Sequence, residues 1–192
     1  MHDSTFHAAA ALIEGGCSDH ACIIRTLRRF GEPALRYAIA RNIRVIPLRH
    51  GERYQERSDA LRRLGVDIDA WPAPPAGLFV VEERAMYLRS RSTMTVAHEF
   101  GHALDCALGE GVYRSSVDPV LRTLFSEAQN FVTPYAATGA DEYFAESLRA
   151  YVEANDPQSF WPRATRERLR RIDSRMYAYV EQLFLSEFVI AA

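Results

Sequence analysis

Thr93 to Gly109 reads TMTVAHEFGHALDCALG, and the pentad His98-Glu99-Phe100-Gly101-His102 stands at its centre. Residues four apart share a helix face, so the two imidazoles fall one turn apart, with Cβ atoms roughly 5–6 Å from each other. That spacing lets both ring nitrogens reach one Zn²⁺ at about 2.0–2.1 Å. Glu99 lies about 100° round the helix from His98, too far aside to be the third ligand. It is placed instead to meet a water held by the metal, the part the Glu plays in H-E-x-x-H sites. A chance match is the competing reading, and the setting weighs against it. Val96, Ala97, Phe100, Gly101, Ala103, Leu104, Ala107 and Leu108 make the helix apolar or small almost all round, so it should be buried. A buried helix bearing two His and a Glu needs a compensating charge, because unpaired ions in a core cost several kcal/mol. Cys106, one turn beyond His102, reads as a packing residue.

Two imidazoles leave a catalytic zinc site short of one protein ligand and one open position. A further His six residues past His102 is absent, since Asp105 and Leu108 occupy the positions where a metzincin carries Gly and His. A carboxylate from a later helix is the remaining option, and Glu142 and Glu146 are the candidates, one turn apart in DEYFAESLRAYVEA. Taken alone, the face Glu142, Glu146, Arg149, Glu153 would be solvated, opposite Phe144, Leu148, Tyr151 and Val152. Beside the His-Glu pentad it reads as Glu142 the ligand, Glu146 the acceptor for a ligand-histidine N–H, and Arg149 the group steadying Glu146. Such outer carboxylates typically change metal affinity ~10–100-fold.

HEFGHALD followed by YAATGADEYFAESLR resembles the gluzincin zinc metallopeptidases of the anthrax lethal factor and Pro-Pro endopeptidase type, and more distantly the Mlc titration factor peptidases. The resemblance covers about residues 77–151. It implies an α+β, mostly helical zincin-like domain with a small mixed β-sheet whose edge strand flanks the His-Glu helix. It also implies one Zn²⁺, hydrolysis of peptide bonds in a peptide or protein substrate, and Glu99 as general base. In those families a Tyr seven residues before the ligand Glu faces the substrate, and Tyr135 stands seven before Glu142. Tyr135 is thereby expected to donate to the oxyanion; without that spacing it would read as a surface loop aromatic. The alternative function is a non-catalytic zinc-binding regulatory or interaction protein on a peptidase fold. Glu99 and Tyr135, both present, argue for the enzyme.

Beyond this centre, 192 residues suit one domain: a helical cap over 1–41, a catalytic core over 42–155 and a C-terminal helix over 156–192. The expected elements are helices over 4–13, 18–30 (Ser18 as N-cap), 32–41 and 58–64, and a strand over 43–48 ended by Pro47. A hairpin of strands 77–81 and 85–89 follows, the second arriving beside the metal, with Ser92 or Thr93 capping the next helix. Further helices are expected over 118–129 (packed by Val120, Leu121, Leu124 and Phe125), from a capping box at Thr138–Asp141 to about Ala154, and unbroken over 164–185. A net charge of −2 points to no nucleic acid and no anionic membrane as partner. Oligomeric state is left open. The first residues lack a secretory signal pattern, and three cysteines are too few for a disulfide framework, so the cytoplasm is the expected compartment. All 23 basic residues are Arg. Genomic base composition accounts for that, and a toxin or effector avoiding lysine modification after non-classical secretion is the sharper alternative.

Overall fold

The computed structural model describes residues 3–15 and 20–190. Its helices are α1 (Ser4–Ala11), α2 (Ala21–Leu27), α3 (Gly31–Ala40), α4 (Tyr54–Arg57), α5 (Asp59–Leu64), α6 (Thr93–Leu108), α7 (Arg114–Val117), α8 (Pro119–Glu127), α9 (Ala140–Tyr151), α10 (Arg166–Ile172) and α11 (Ser174–Gln182). Strands β1 (Arg44–Pro47), β2 (Gly77–Val80) and β3 (Ala85–Leu88) make one mixed sheet in the order β1-β3-β2. The class is therefore α+β, dominated by helix.

The long helix α6 sits at the centre because its composition leaves it no polar face to show to water. Val96, Ala97, Phe100, Ala103 and Leu104 are wholly buried. Ser92 caps it by accepting the Thr95 N–H. A second cap comes from far away: the two Asp156 oxygens accept the N–H groups of Thr93 (2.9 Å) and Met94 (3.1 Å). A carboxylate on those unpaired N–H groups also suits the positive end of the helix dipole. On one side α2 and α3 pack on α6, with Phe30 edge-on to Phe100 at 4.8 Å between centroids, so the N-terminal helices share the main core. On the other side α9 lies across it. There the backbones nearly touch: a Cβ added to Gly101 would stand 2.8 Å from the Ala145 Cα and 3.1 Å from its carbonyl oxygen. Only glycine permits that approach.

The sheet is covered on both faces, as its alternation requires. Val45, Phe79, Met86 and Leu88 enter the main core, whereas Ile46, Val80, Ala85 and Tyr87 join a smaller cluster closed by Tyr54, Ala60, Leu61 and Ile68. The parallel strand β1 lies at one edge, in keeping with Pro47, and β3 is central. The strand at the edge beside α6 is thus β2, not the second hairpin strand expected there. The connecting turn is tied down by Glu83, which accepts from Ala60 N–H (2.8 Å), Ser58 Oγ (2.9 Å) and Tyr87 OH (2.7 Å).

Several expected elements differ. Helix α1 stops at Ala11, and Ile13 instead bridges Val45 beside β1. The Ser18 cap lies outside the described residues. Val120 faces outward, more than half exposed. The Thr138 capping box does not form, because the Thr138 hydroxyl donates to the Tyr135 carbonyl and Gly139 occupies the N-cap of α9. That helix ends at Tyr151, so Glu153 lies beyond it, exposed and at φ +55°. The final helix is broken between α10 and α11. Asp173 leaves helical geometry there (φ −148°) to cap Met176 N–H and to accept from Tyr143 OH. Among the described residues, no helix is long and apolar enough to cross a membrane, and Cys22 and Cys106 are free thiols.

Two stability measurements test this account. Gly101→Ala should lower the unfolding free energy by about 1–3 kcal/mol, as overpacking does, seen as a lower thermal midpoint. An unchanged midpoint would show that α9 can move aside. Burial alone would raise the Glu83 pKa, but bonds from Tyr87, Ala60 and Ser58 outweigh it and hold it below the ordinary 4.5. A carboxyl with a depressed folded-state pKa contributes stability above the unfolded value and loses it as pH falls through the folded one. Denaturant midpoints should therefore drop below about pH 4.5 by more in wild type than in Glu83→Gln.

Candidate metal centre

The contact of Gly101 with Ala145 decides what meets what. Flanking it, His98 and His102 on α6 face Glu142 and Glu146 on α9. The two Nε2 atoms lie 3.1 Å apart, and Glu142 Oε2 stands 3.1 Å from that of His98 and 3.3 Å from that of His102. These three residues form the one group of His, Cys, Asp and Glu among the described residues arranged to hold a metal ion.

Three observations show that the donor set fits a cation. Ligands about 2.0–2.1 Å from a tetrahedral ion stand roughly 3.3 Å from one another, close to all three edges of the triangle. Glu142 Oε2 is buried and makes no hydrogen bond of acceptable geometry, although both imidazoles are near. A single proton on His98 Nε2 can point at one neighbour only, which leaves the other lone pairs facing each other.

The electrostatics agree. Burial would depress His98, but the carboxylates of Glu142 and Glu146 beside its two ring nitrogens override it and push the imidazole up to about 10. Burial likewise works against ionised Glu142, and the two imidazoles reverse the effect and hold it far below the ordinary carboxylate range. Both shifts express the same thing, a site that seeks positive charge.

Glu146 meets the nearer of the two imidazoles. Its Oε1 accepts from His98 Nδ1 at 3.0 Å, which fixes the ring with Nε2 towards the triangle. Arg149 grips both oxygens at 2.8 Å and donates onward to Ala154 O (3.0 Å) and Asn155 Oδ1 (3.3 Å). Far from being solvated, Arg149 is 1% exposed. Thr133, unremarked in the sequence, donates to Glu146 Oε2 at 2.6 Å.

Glu99 is buried beside the triangle, and burial pushes its carboxyl pKa up against the pull of the two imidazoles. Edge strand β2 comes so close that a Cβ on Gly77 would stand 2.5 Å from Glu99 Cγ. This second close approach explains a glycine that sequence reading took only for the start of a strand. Tyr135, at the start of a 3₁₀ turn (Tyr135–Ala137), donates to Glu142 Oε1 at 3.0 Å, its ring 5.4 Å from that of His98. It is a part-exposed loop aromatic, but one turned to the site. On the far side Tyr113, not anticipated, sets its ring 5.5 Å from that of His102.

His98, Glu99 and Tyr135 line a cleft of about 350 Å³ together with Pro75, Ala76, Met94 and Trp161. Trp161 belongs to the segment 157–163, whose ends are joined through Asn155. That side chain donates to Ala164 O (2.8 Å) and accepts Ala164 N–H (3.0 Å). No protein-family model matches the chain, and no curated protein aligns with it significantly.

The buried Arg149–Glu146 pair gives a direct test. Arg149→Met should destabilise the metal-free protein by about 3–5 kcal/mol, the cost of stranding a buried carboxylate. Adding Glu146→Gln should recover part of that loss in denaturant unfolding. A double variant no more stable than the single one would place the loss in packing.

Proposed function

We propose that this chain is a zinc-dependent endopeptidase with a zincin-type site, His98, His102 and Glu142 holding the ion. The observation that carries the reading is the convergence of those three donor atoms with a buried, unligated Glu99 beside them. A structural zinc site is closed by four protein ligands, whereas three ligands and an open position are the catalytic pattern. A bound zinc ion would supply Lewis-acid polarisation of the scissile carbonyl and of the attacking water.

The remaining work falls to the chain's own side chains. Glu99 takes the proton of the attacking water and passes it to the leaving amine, a contribution of typically ~10²–10⁴-fold. Tyr135 donates to the developing oxyanion, exchanging its bond to Glu142 for one to the substrate. Loss of such a donor usually costs on the order of 10²–10³ in rate. Strand β2 offers backbone. Arg89 N–H bonds to Ala76 O, so in this antiparallel pair Gly77 turns its own N–H and C=O away from β3, towards the cleft. An extended peptide can pair there by β-augmentation, with its scissile bond beside Glu99.

Metal analysis and a diverse peptide library test the proposal together. Wild type should carry one zinc per chain and cleave peptides. Glu99→Ala should keep zinc and lose cleavage, Glu142→Ala should lose zinc, and Tyr135→Phe should lower kcat with zinc retained. Full zinc occupancy in Glu142→Ala refutes the ligand assignment, and stoichiometric iron or manganese refutes the choice of ion. Zinc-loaded wild type that cuts nothing favours the other reading, a metal-stabilised binding protein.

A further inference from the structure

We propose that Thr133 is a positioning residue whose hydroxyl couples the histidine-holding carboxylate to the turn that carries Tyr135. The role given to Tyr135 rests on the peptidase reading; the coupling itself does not.

Thr133 is 1% exposed and sits between two groups that its hydroxyl can serve at once. A carboxylate only accepts, so the Thr133 O–H must donate to Glu146 Oε2, at 2.6 Å. Its lone pairs then remain free, and one accepts the Ala136 N–H at 3.3 Å. The backbone before Thr133 is fixed independently. Arg168 Nε donates to Val132 O at 3.0 Å, and the Phe131 ring packs against Phe125 and Tyr143 at 5.9 and 5.8 Å. Beyond Pro134 the chain enters the turn, with Ala136 buried and Tyr135 44% exposed.

Followed from the site, the bonds close a circuit. His98 Nδ1 is held by Glu146, Glu146 by Thr133, and the Thr133 hydroxyl holds the turn. The Tyr135 phenol returns to Glu142, whose other oxygen faces both imidazoles. A phenol that serves the substrate must first leave Glu142. The Thr133 bond then still holds the turn in register with His98, so the phenol swings from a fixed base. Because Glu146 keeps both bonds from Arg149, removing the Thr133 hydroxyl should disturb Tyr135 more than the ligand histidine.

The test uses Thr133→Val, which keeps the shape and removes the hydroxyl, and Thr133→Ser, which restores it. In Thr133→Val, kcat should fall about tenfold, the loss of one hydrogen bond to an ionised partner. KM should stay near wild type, and zinc affinity, measured by chelator competition, should change by no more than roughly threefold. Thr133→Ser should recover most of kcat. Adding Thr133→Val to Tyr135→Phe should cost little beyond Tyr135→Phe alone, as for residues acting as one unit. A second readout needs no substrate: hydrogen exchange at the Ala136 amide, before and after zinc is added to the metal-free protein. Protection should rise with zinc in wild type and Thr133→Ser, and not in Thr133→Val. Unchanged kcat in Thr133→Val, losses that multiply in the double variant, or Ala136 exchange insensitive to zinc in wild type would each overturn the coupling. If wild type cleaves no peptide, the peptidase reading fails and the exchange comparison alone decides for or against Thr133.

Discussion

The close approach of two helices is what brings the side chains of this site together. Here Gly101 lies against the Ala145 backbone, and that contact fixes the separation of α6 and α9. Flanking it, two imidazoles face two carboxylates across a gap of 3.0–3.3 Å. A larger residue at 101 would leave the same side chains present and the site dispersed. The second close approach, of Gly77 to Glu99, does the same for the strand edge. The site is built where backbone meets backbone, and rigidity there is what gives its spacing meaning.

Charge completes what packing begins. Glu142 and Glu146 meet the imidazoles, Glu146 is also gripped by the Arg149 guanidinium, and Glu99 is buried beside them, so carboxylates crowd a setting where charge is costly. One divalent cation would offset their charge. The same carboxylates hold the His98 imidazole above its ordinary pKa. Ligand deprotonation and metal uptake are thus two sides of one equilibrium. Glu99 differs from the other two carboxylates in that burial outweighs the pull of the two imidazoles and raises its pKa while theirs fall.

Much of this was legible in the residues because helix periodicity is short-range. His98 and His102, then Glu142 and Glu146, share faces by spacing alone, and the apolar surroundings of the first pair announce burial. Tyr135 became visible through its seven-residue interval to Glu142, a likeness to known families rather than a local signal. What stayed hidden depends on chain segments far apart. Nothing near Thr133 reveals the carboxylate it meets, nothing near Gly77 reveals Glu99, and Asp156 reads as a helix stop rather than as the cap of α6. Periodicity also misled. The stripe from Leu169 to Leu183 runs on as one helix would, but Asp173 breaks it by capping α11 and receiving Tyr143. Thr138 has the spelling of a capping box and spends its hydroxyl on Tyr135 O instead.

The Asp156 clasp makes the first turn of α6 answer to a segment more than sixty residues away. That same segment continues to Trp161 on the wall of the cleft, while Asn155 joins its base to the Arg149 guanidinium. Two neighbouring residues thus tie the segment that carries the indole to both the start of the helix bearing the imidazoles and the guanidinium behind His98. The rim of the cleft and the start of α6 are thereby anchored through one short stretch of chain.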